Sequence, residues 1–153
     1  MRSEIYDMEL KVKTFDELNT RELYELLRSR VEIFVVEQKC PYQEVDGLDY
    51  QSVHCYYEED GRVTAYLRAF PDETDSSTVH IGRVLTLKHG TGLGSRLFQE
   101  SLDAIIEKMN PSRICMEAQE YAIGFYERYG LKVTSDMFLL DDIPHVNMEL
   151  VLK

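Results

Sequence analysis

The chain contains no apolar run long enough to span a bilayer, and Met1 is followed at once by Arg2 and Glu4. Neither a membrane span nor a signal peptide is therefore expected, and residence in the cytoplasm is the default. Positive charge is scarce: 17 Lys and Arg against 28 Asp and Glu leave a net charge of -11. Such a surface repels a phosphate backbone at long range, and no Lys/Arg stripe reverses this locally, so nucleic acid is not an expected partner. An acidic surface serves solubility, or it suits a cationic, amine-bearing substrate. Cysteine is also sparse, and Cys40, Cys55 and Cys115 lack metal-ligand spacing. They read as reduced, unpaired thiols. The four histidines form neither a His-x-x-x-His pair nor a Cys/His set, and no metal is expected. No linker, repeat or low-complexity run divides the chain, so residues 1–153 read as a single domain able to bury a core.

What the chain does have is concentrated at His89-Gly90-Thr91-Gly92-Leu93-Gly94-Ser95, with three glycines in five residues. Upstream, Val79 to Leu87 reads as a mostly buried strand. Downstream, Leu93, Leu97, Leu102, Ile105 and Ile106 follow helical spacing. A glycine-rich turn opening a helix leaves the first backbone N–H groups of that helix unpaired and approachable, and the aligned peptide dipoles favour an anion there. Phosphate is the natural guest. The competing explanation is that the glycines serve tight packing alone. A P-loop is excluded because Gly94 is followed by Ser95 and Arg96 rather than by Lys and Ser/Thr. A dinucleotide fingerprint gains some support from Glu117, about twenty residues on, but the glycines run at intervals of two and repeated strand-helix-strand units are missing.

Along the rest of the chain, Ile5 to Val12 reads as a first strand. Asn19 and Glu22 read as a capping box for a helix whose buried stripe is Leu23, Leu26, Leu27, Val31 and Phe34. Cys40-Pro41-Tyr42 should stop that helix, and an acidic loop with Glu44, Asp46 and Asp49 follows. Val53 to Glu58 and Arg62 to Phe70 read as strands joined by an Asp60-Gly61 hairpin turn. Gly82 marks a candidate bulge in the next strand. Arg113 to Glu117 reads as a parallel strand after the long helix, and 119–130 as a helix with Ala122, Phe125, Tyr126 and Tyr129 on one face and Gly130 as its C-cap. Thr134 to Leu140, an Asp141-Asp142 turn and His145 to Leu152 read as an antiparallel pair closing the sheet. Arg68 and Arg83 lie in strands that otherwise read as buried, so each needs a partner: Glu117 or an acidic-loop residue, or a role in orienting substrate.

Residues 89 to 94 resemble the Gln/Arg-x-x-Gly-x-Gly/Ala pyrophosphate loop of the GNAT superfamily of N-acetyltransferases, with His89 in the place of Arg or Gln. Phe34-Val35-Val36-Glu37-Gln38, continuing through Cys40-Pro41-Tyr42, resembles the ElaA-like subfamily; Ile81-Gly82-Arg83-Val84, residues 118–130 and Ile143-Pro144-His145 extend the likeness over essentially the whole chain. The resemblance implies an α/β fold of α+β type, a mixed and mostly antiparallel sheet flanked by helices, with two parallel strands splayed at an acetyl-CoA cleft. It assigns pantetheine pairing to Val84, Leu85 and Thr86, and pyrophosphate binding to His89, Gly90, Thr91, Gly92, Leu93, Gly94 and Ser95. Residues 119–131 resemble the family's second cofactor segment, with Gln119 in the place of Asn and Leu131 in the place of Phe, and Tyr126 falls where a phenol protonates the departing thiolate. Glu37, Glu44 and Asp46, with Arg68 and Arg83, fall on the acceptor side.

A lysine-like amine is neutral only about once in 2,500 molecules at pH 7, a deficit of roughly 4.6 kcal/mol, so a base or water relay is expected. Glu117 is the carboxylate selected for catalysis, with His54, His80 and His145 as further candidates. The expected activity is direct acetyl transfer from acetyl-CoA to a primary amine on a small molecule or peptide, with oligomeric state open, a homodimer included. The alternative is a non-catalytic acyl-CoA-binding or regulatory module on the same fold.

Overall fold

A computed structural model describes residues 8–39 and 44–153. The expected Cys40-Pro41-Tyr42 helix stop and the Ile5 to Asp7 part of the first strand lie outside the described residues. The first described strand, β1, is Lys11–Thr14, later than the alternation suggested. It is followed by α1 (Thr20–Arg30), β2 (Val53–Glu59), β3 (Arg62–Pro71), β4 (Thr78–Thr86) and α2 (Leu93–Met109). β5 (Arg113–Gln119), α3 (Ile123–Glu127), β6 (Lys132–Val133), β7 (Phe138–Leu140) and β8 (Ile143–Val151) complete the chain. Among the described residues no helix is long and apolar enough to cross a membrane.

Local sequence accounts for the well-formed ends. Asn19 Oδ1 accepts the Glu22 N–H at 2.8 Å, and Glu22 Oε1 accepts the Asn19 N–H at 2.9 Å, closing the capping box. Asp60 and Gly61 both take positive φ, 52° and 77°, as a two-residue hairpin turn requires. Asp141 and Asp142 do the same between β7 and β8. Beyond Arg30 the chain widens into a π-turn over Val31–Glu37, which the helical periodicity did not foresee. Val31 is consequently exposed, whereas Leu26 is fully buried. The expected helix over 119–130 is instead a 3₁₀ turn, Glu120–Ala122, followed by the short α3, with Gly130 at φ 92° ending it.

The sheet order is β1-β2-β3-β4-β5-β8-β6, with β7 also paired to β8. Every neighbouring pair is antiparallel except β4 and β5. α2 covers one face, where Leu93, Leu97, Phe98 and Ile105 meet Leu67, Val79, Ile114 and Met116. α1 covers the other face, where Leu26 meets Tyr56, Tyr66 and Leu85. Because side chains alternate along a strand, Ile114, Met116 and Ala118 of β5 enter the α2-side core while Cys115, Glu117 and Gln119 face the α1 side. α1 overlies the β2 to β4 part of that face and leaves a cleft beside it.

A buried ion network ties α1 and the acidic loop to this sheet face. Arg30 is fully buried and donates from Nη1 to Asp49 Oδ1 at 2.7 Å and from Nε to Glu44 Oε1 at 3.1 Å. Arg68 donates to both Asp46 oxygens, at 2.9 and 2.6 Å, and to Asp49 at 3.0 Å. Arg83 donates from Nε to Glu44 Oε1 at 2.7 Å. Three guanidinium groups thus face three carboxylates, and formal charge cancels within the cluster. Arg68 and Arg83 pair with the acidic loop and not with Glu117, which lies on β5. Burying such groups is tolerable only while every partner is present. Arg30→Met is expected to destabilise the fold by about 3–5 kcal/mol, since it strips Glu44 and Asp49 of a shared partner in the interior. Urea unfolding should show this as a lowered midpoint with an unchanged slope.

Candidate active site

β4 and β5 pair over only three residues, Thr78, Val79 and His80 against Arg113, Ile114 and Cys115. Beyond that point they have no cross-strand register, and the cleft opens between them. The cause lies in β4. Between the pairs Tyr66–Leu85 and Arg68–Gly82, β3 advances two residues and β4 three, so β4 carries one extra residue. That residue is in the left-handed region: Arg83 has φ 56°. A side chain in this conformation costs of order 1–3 kcal/mol and persists only where its surroundings hold it. The pairing of Arg83 with Glu44 and Asp46 supplies that hold. The expected bulge is therefore real, but it sits at Arg83; Gly82 next to it keeps an ordinary φ.

At the upper end of the cleft, Gly90 and Gly92 take φ of 73° and 82° and turn the chain into α2. Gly92 is the helix N-cap and offers no side chain to the first turn. Among the described residues the amides of Gly94 and Ser95 have no acceptor, while the Leu93 N–H lies 3.4 Å from Thr91 Oγ1. A row of free amides at the start of a long helix fits a diphosphate. Leu93 itself is a core side chain, 1% exposed, so only its backbone is available to a ligand. His89 is exposed beside this turn, with Nε2 3.8 Å from Oε1 of Glu37 on the π-turn.

The cleft encloses about 850 Å³. Of the residues singled out from sequence, it brings together Glu37, Asp46, Arg68, Arg83, Val84, Leu85, Thr86, His89, Gly94, Glu117, Gln119 and Tyr126. Glu44 is not among them. It is 5% exposed and clasped by Arg30 and Arg83, so its position is structural and corrects the expectation that it meets an acceptor. Asp46 retains partial exposure at the cleft wall, with Arg68 and Arg83 as partners. Ile33, Phe34 and Gln38 also line the cleft because the π-turn presents them there, a placement that helical spacing alone does not reveal.

Tyr126 stands in an aromatic cluster, its ring 5.1 Å from Phe98 and 5.2 Å from Phe125. Tyr129 extends the cluster and donates from its hydroxyl to the Ser95 carbonyl at 3.2 Å, joining it to the first turn of α2. Burial pushes the Tyr126 phenol up from its ordinary value, so it stays protonated. Among the described residues its hydroxyl has no hydrogen-bond partner. On β5, Glu117 is exposed into the cleft and lies opposite Asn147 of β8.

The histidines separate by environment. His54 is fully buried; its Nε2–H donates to the Asp49 carbonyl at 3.0 Å, and Nδ1 accepts from the Tyr66 hydroxyl at 2.7 Å. Burial lowers its basicity, and both nitrogens are occupied. His145 donates from Nδ1 to the Ile143 carbonyl at 2.7 Å and lies opposite Gln119. His80 is half-buried at the last pair before the strands part.

A splayed parallel pair, a bulge that holds it open and a glycine turn with free amides define an acyl-CoA N-acyltransferase fold. The chain belongs to the GNAT acetyltransferase family: the family model described as acetyltransferase (GNAT) domain matches residues 18–152. It is 37% identical over 150 residues to the UPF0039 protein C11D3.02c of Schizosaccharomyces pombe, covering 95% of this chain and 99% of that one. Among solved structures it is similar to an acyl-CoA N-acyltransferase from Pseudomonas aeruginosa (38% identity, TM-score 0.86, 94% of this chain and 99% of that one). Escherichia coli ElaA is also similar, at 29% identity and TM-score 0.88, covering 94% of this chain and 99% of that one. Acyl-CoA is thus the co-substrate class, and the free amides and unpaired strand edges described above fit it.

The cleft wall has a pH dependence of its own. Burial alone would raise the Asp46 pKa, but hydrogen bonds from Arg68 and from the Leu48 N–H, with Arg83 nearby, lower it from 3.8 to about 2. A depressed carboxylate stabilises the fold above its unfolded pKa and loses that contribution as pH falls towards the folded value. Asp46→Asn is expected to be less stable than wild type above about pH 4, the ordinary carboxylate range. The gap should narrow as pH falls to about 2. Urea unfolding at a series of pH values checks this.

Proposed function

We propose that the protein transfers an acetyl group from acetyl-CoA to a primary amine on a small molecule or peptide, directly and without an acetylated enzyme. The observation that carries the reading is the cleft that joins Gly94 in the first turn of α2, the unpaired edge of β4, the Tyr126 phenol and the Glu117 carboxylate. Acetyl-CoA supplies the thioester. Gly94 and Ser95 amides, approached past Gly90, Thr91, Gly92 and Leu93, hold its diphosphate, with His89 beside them. Val84, Leu85 and Thr86 offer backbone to the pantetheine arm, and Gln119 faces it from β5.

Tyr126 hydrogen-bonds the sulfur and gives it a proton as the acyl carbon is lost. Burial raises the phenol, so it stands ready as O–H and not as phenolate. Glu117 meets the ammonium of the acceptor and draws it to the thioester. Glu37 and Asp46, at the cleft margin, favour a cationic acceptor, while Arg68 and Arg83 position the Asp46 carboxylate. A covalent route through Cys115 is disfavoured, because burial raises that thiol and Glu149 adds to the effect.

Free-CoA release should be seen when purified protein and acetyl-CoA are offered polyamines, amino sugars, aminoacyl compounds and peptides; no release with any of them overturns the proposal. Tyr126→Phe should lower kcat by about 100-fold to 10,000-fold with acetyl-CoA affinity unchanged. Mass spectrometry of protein mixed with acetyl-CoA alone should show unmodified Cys115, and stoichiometric acetylation there would refute direct transfer.

A further inference from the structure

Beside the main cleft lies a smaller recess of about 250 Å³ on the same sheet face. It shares His80, Met116 and Glu117 with the main cleft and is completed by Cys115, Thr134, Asn147, Met148 and Glu149. His80 stands where the two meet, at the last register pair before β4 and β5 diverge. Its Nε2 lies 2.7 Å from Asp72 Oδ1. An ionised carboxylate only accepts, so Nε2 carries the proton and Nδ1 the lone pair. Among the described residues Nδ1 has no partner. The ring is stacked on Phe70, with centroids 5.4 Å apart and planes at 25°.

Asp72 is itself prearranged. Its Oδ2 accepts from Thr74 N–H at 3.0 Å, Thr74 Oγ1 at 3.0 Å and Asp75 N–H at 3.1 Å, which leaves Oδ1 for the imidazole. The His80 hydrogen bond, followed by those from Thr74, holds the Asp72 carboxyl well below its usual range, so it remains an acceptor at working pH. A base oriented by a third group, with its second nitrogen left unbonded beside an open site, is the arrangement that proton transfer requires. Among the described histidines only His80 has a carboxylate behind it at the cleft: His54 has both nitrogens bonded, His145 has its Nδ1–H held by the Ile143 carbonyl, and His89 lies exposed with Nε2 3.8 Å from Glu37.

We infer that the smaller recess lodges the amine end of the acceptor and that His80, positioned by Asp72, takes the proton from its ammonium group. This rests on the acyl-transfer reading of the cleft. Glu117, shared by both spaces, draws the cation, and Asn147 and Thr134 accept its remaining N–H groups. The ammonium proton passes to Nδ1 of His80, giving an imidazolium stabilised by Asp72. The freed nitrogen lone pair forms the C–N bond as the C–S bond breaks, Tyr126 protonates the sulfur, and the proton left on the new amide nitrogen returns the phenol to its resting state through water. The charged and titratable groups around the ring are Asp72, Glu117, Cys115 and Glu149, the last paired with Arg113 at 3.1 Å, and Arg68 lies 5.5 Å from the centroid of the Phe70 ring.

The test compares two acceptors, a strongly basic alkylamine and a weakly basic arylamine already neutral at working pH. His80→Gln should lower kcat/KM for the alkylamine about 100-fold or more, with a loss at least tenfold smaller for the arylamine, and should remove the acidic limb of the alkylamine pH profile. Asp72→Asn should act in the same direction, and Asp72→Glu should restore part of the rate. Equal losses on both acceptors, or no loss, would overturn the inference. Nitrogen NMR of the wild-type protein should show His80 in the Nε2–H form, with Nδ1 shifting when a polyamine is added without acetyl-CoA; an Nδ1–H form, or no shift, also overturns it. If wild-type protein releases no CoA with either amine, the acyl-transfer reading fails, and the unchanged NMR result separates that failure from this one.

Discussion

Two parallel strands that cease to pair after three residues leave backbone donors and acceptors exposed along both edges, and the protein is built to keep that gap open. Closing it would satisfy the edges, so something must prevent closure. The extra residue in β4 does so by breaking register at Arg83, where the backbone takes a conformation that a side chain rarely adopts. The strain is offset by the ion network, since Arg83 is bonded to Glu44, Glu44 to Arg30, and Arg30 to Asp49, which also receives Arg68. A surface ion pair would be too weak for this task. Burial makes the network an all-or-none device.

The same network explains why acidic residues at the cleft do not all have one role. Glu44 faces inward and neutralises two arginines, whereas Asp46 shares its charge between the arginines and the cleft. Glu117 stands apart on β5. Around it the α1-side face collects polar groups: Asn147 opposite, His80 across the gap and Gln119 two residues on. In the proposed reaction this polarity serves the amine, while the aromatic cluster of Phe98, Phe125, Tyr126 and Tyr129 keeps the sulfur side dry. In that proposal the amine loses its proton beside the polar groups and the thiolate gains one from the aromatic cluster.

Much of this architecture is legible locally. The capping box at Asn19 and Glu22, the turns at Asp60-Gly61 and Asp141-Asp142, and the glycines before α2 each act through a neighbouring backbone group, so a few adjacent residues suffice to specify them. The π-turn over Val31–Glu37 was not legible, because the apolar spacing of VEIFVVE suits an ordinary helix as well as a wider one. The bulge was expected at Gly82 from composition, yet it formed at Arg83, since the ion pairs that hold it come from a loop some forty residues earlier.

The chain order of apolar and polar residues determined by itself most of the succession of strands and helices, the place of the glycine turn and the family likeness. These depend on periodicity, turn chemistry and short spacings, all of them near in sequence. Which carboxylate meets which arginine, and which histidine keeps a free nitrogen beside the cleft, were decided only by tertiary structure. Arg30 pairs with Asp49, and His80 and Glu117 line one recess, each from separate elements, and no local preference encodes a partner that arrives from another part of the chain.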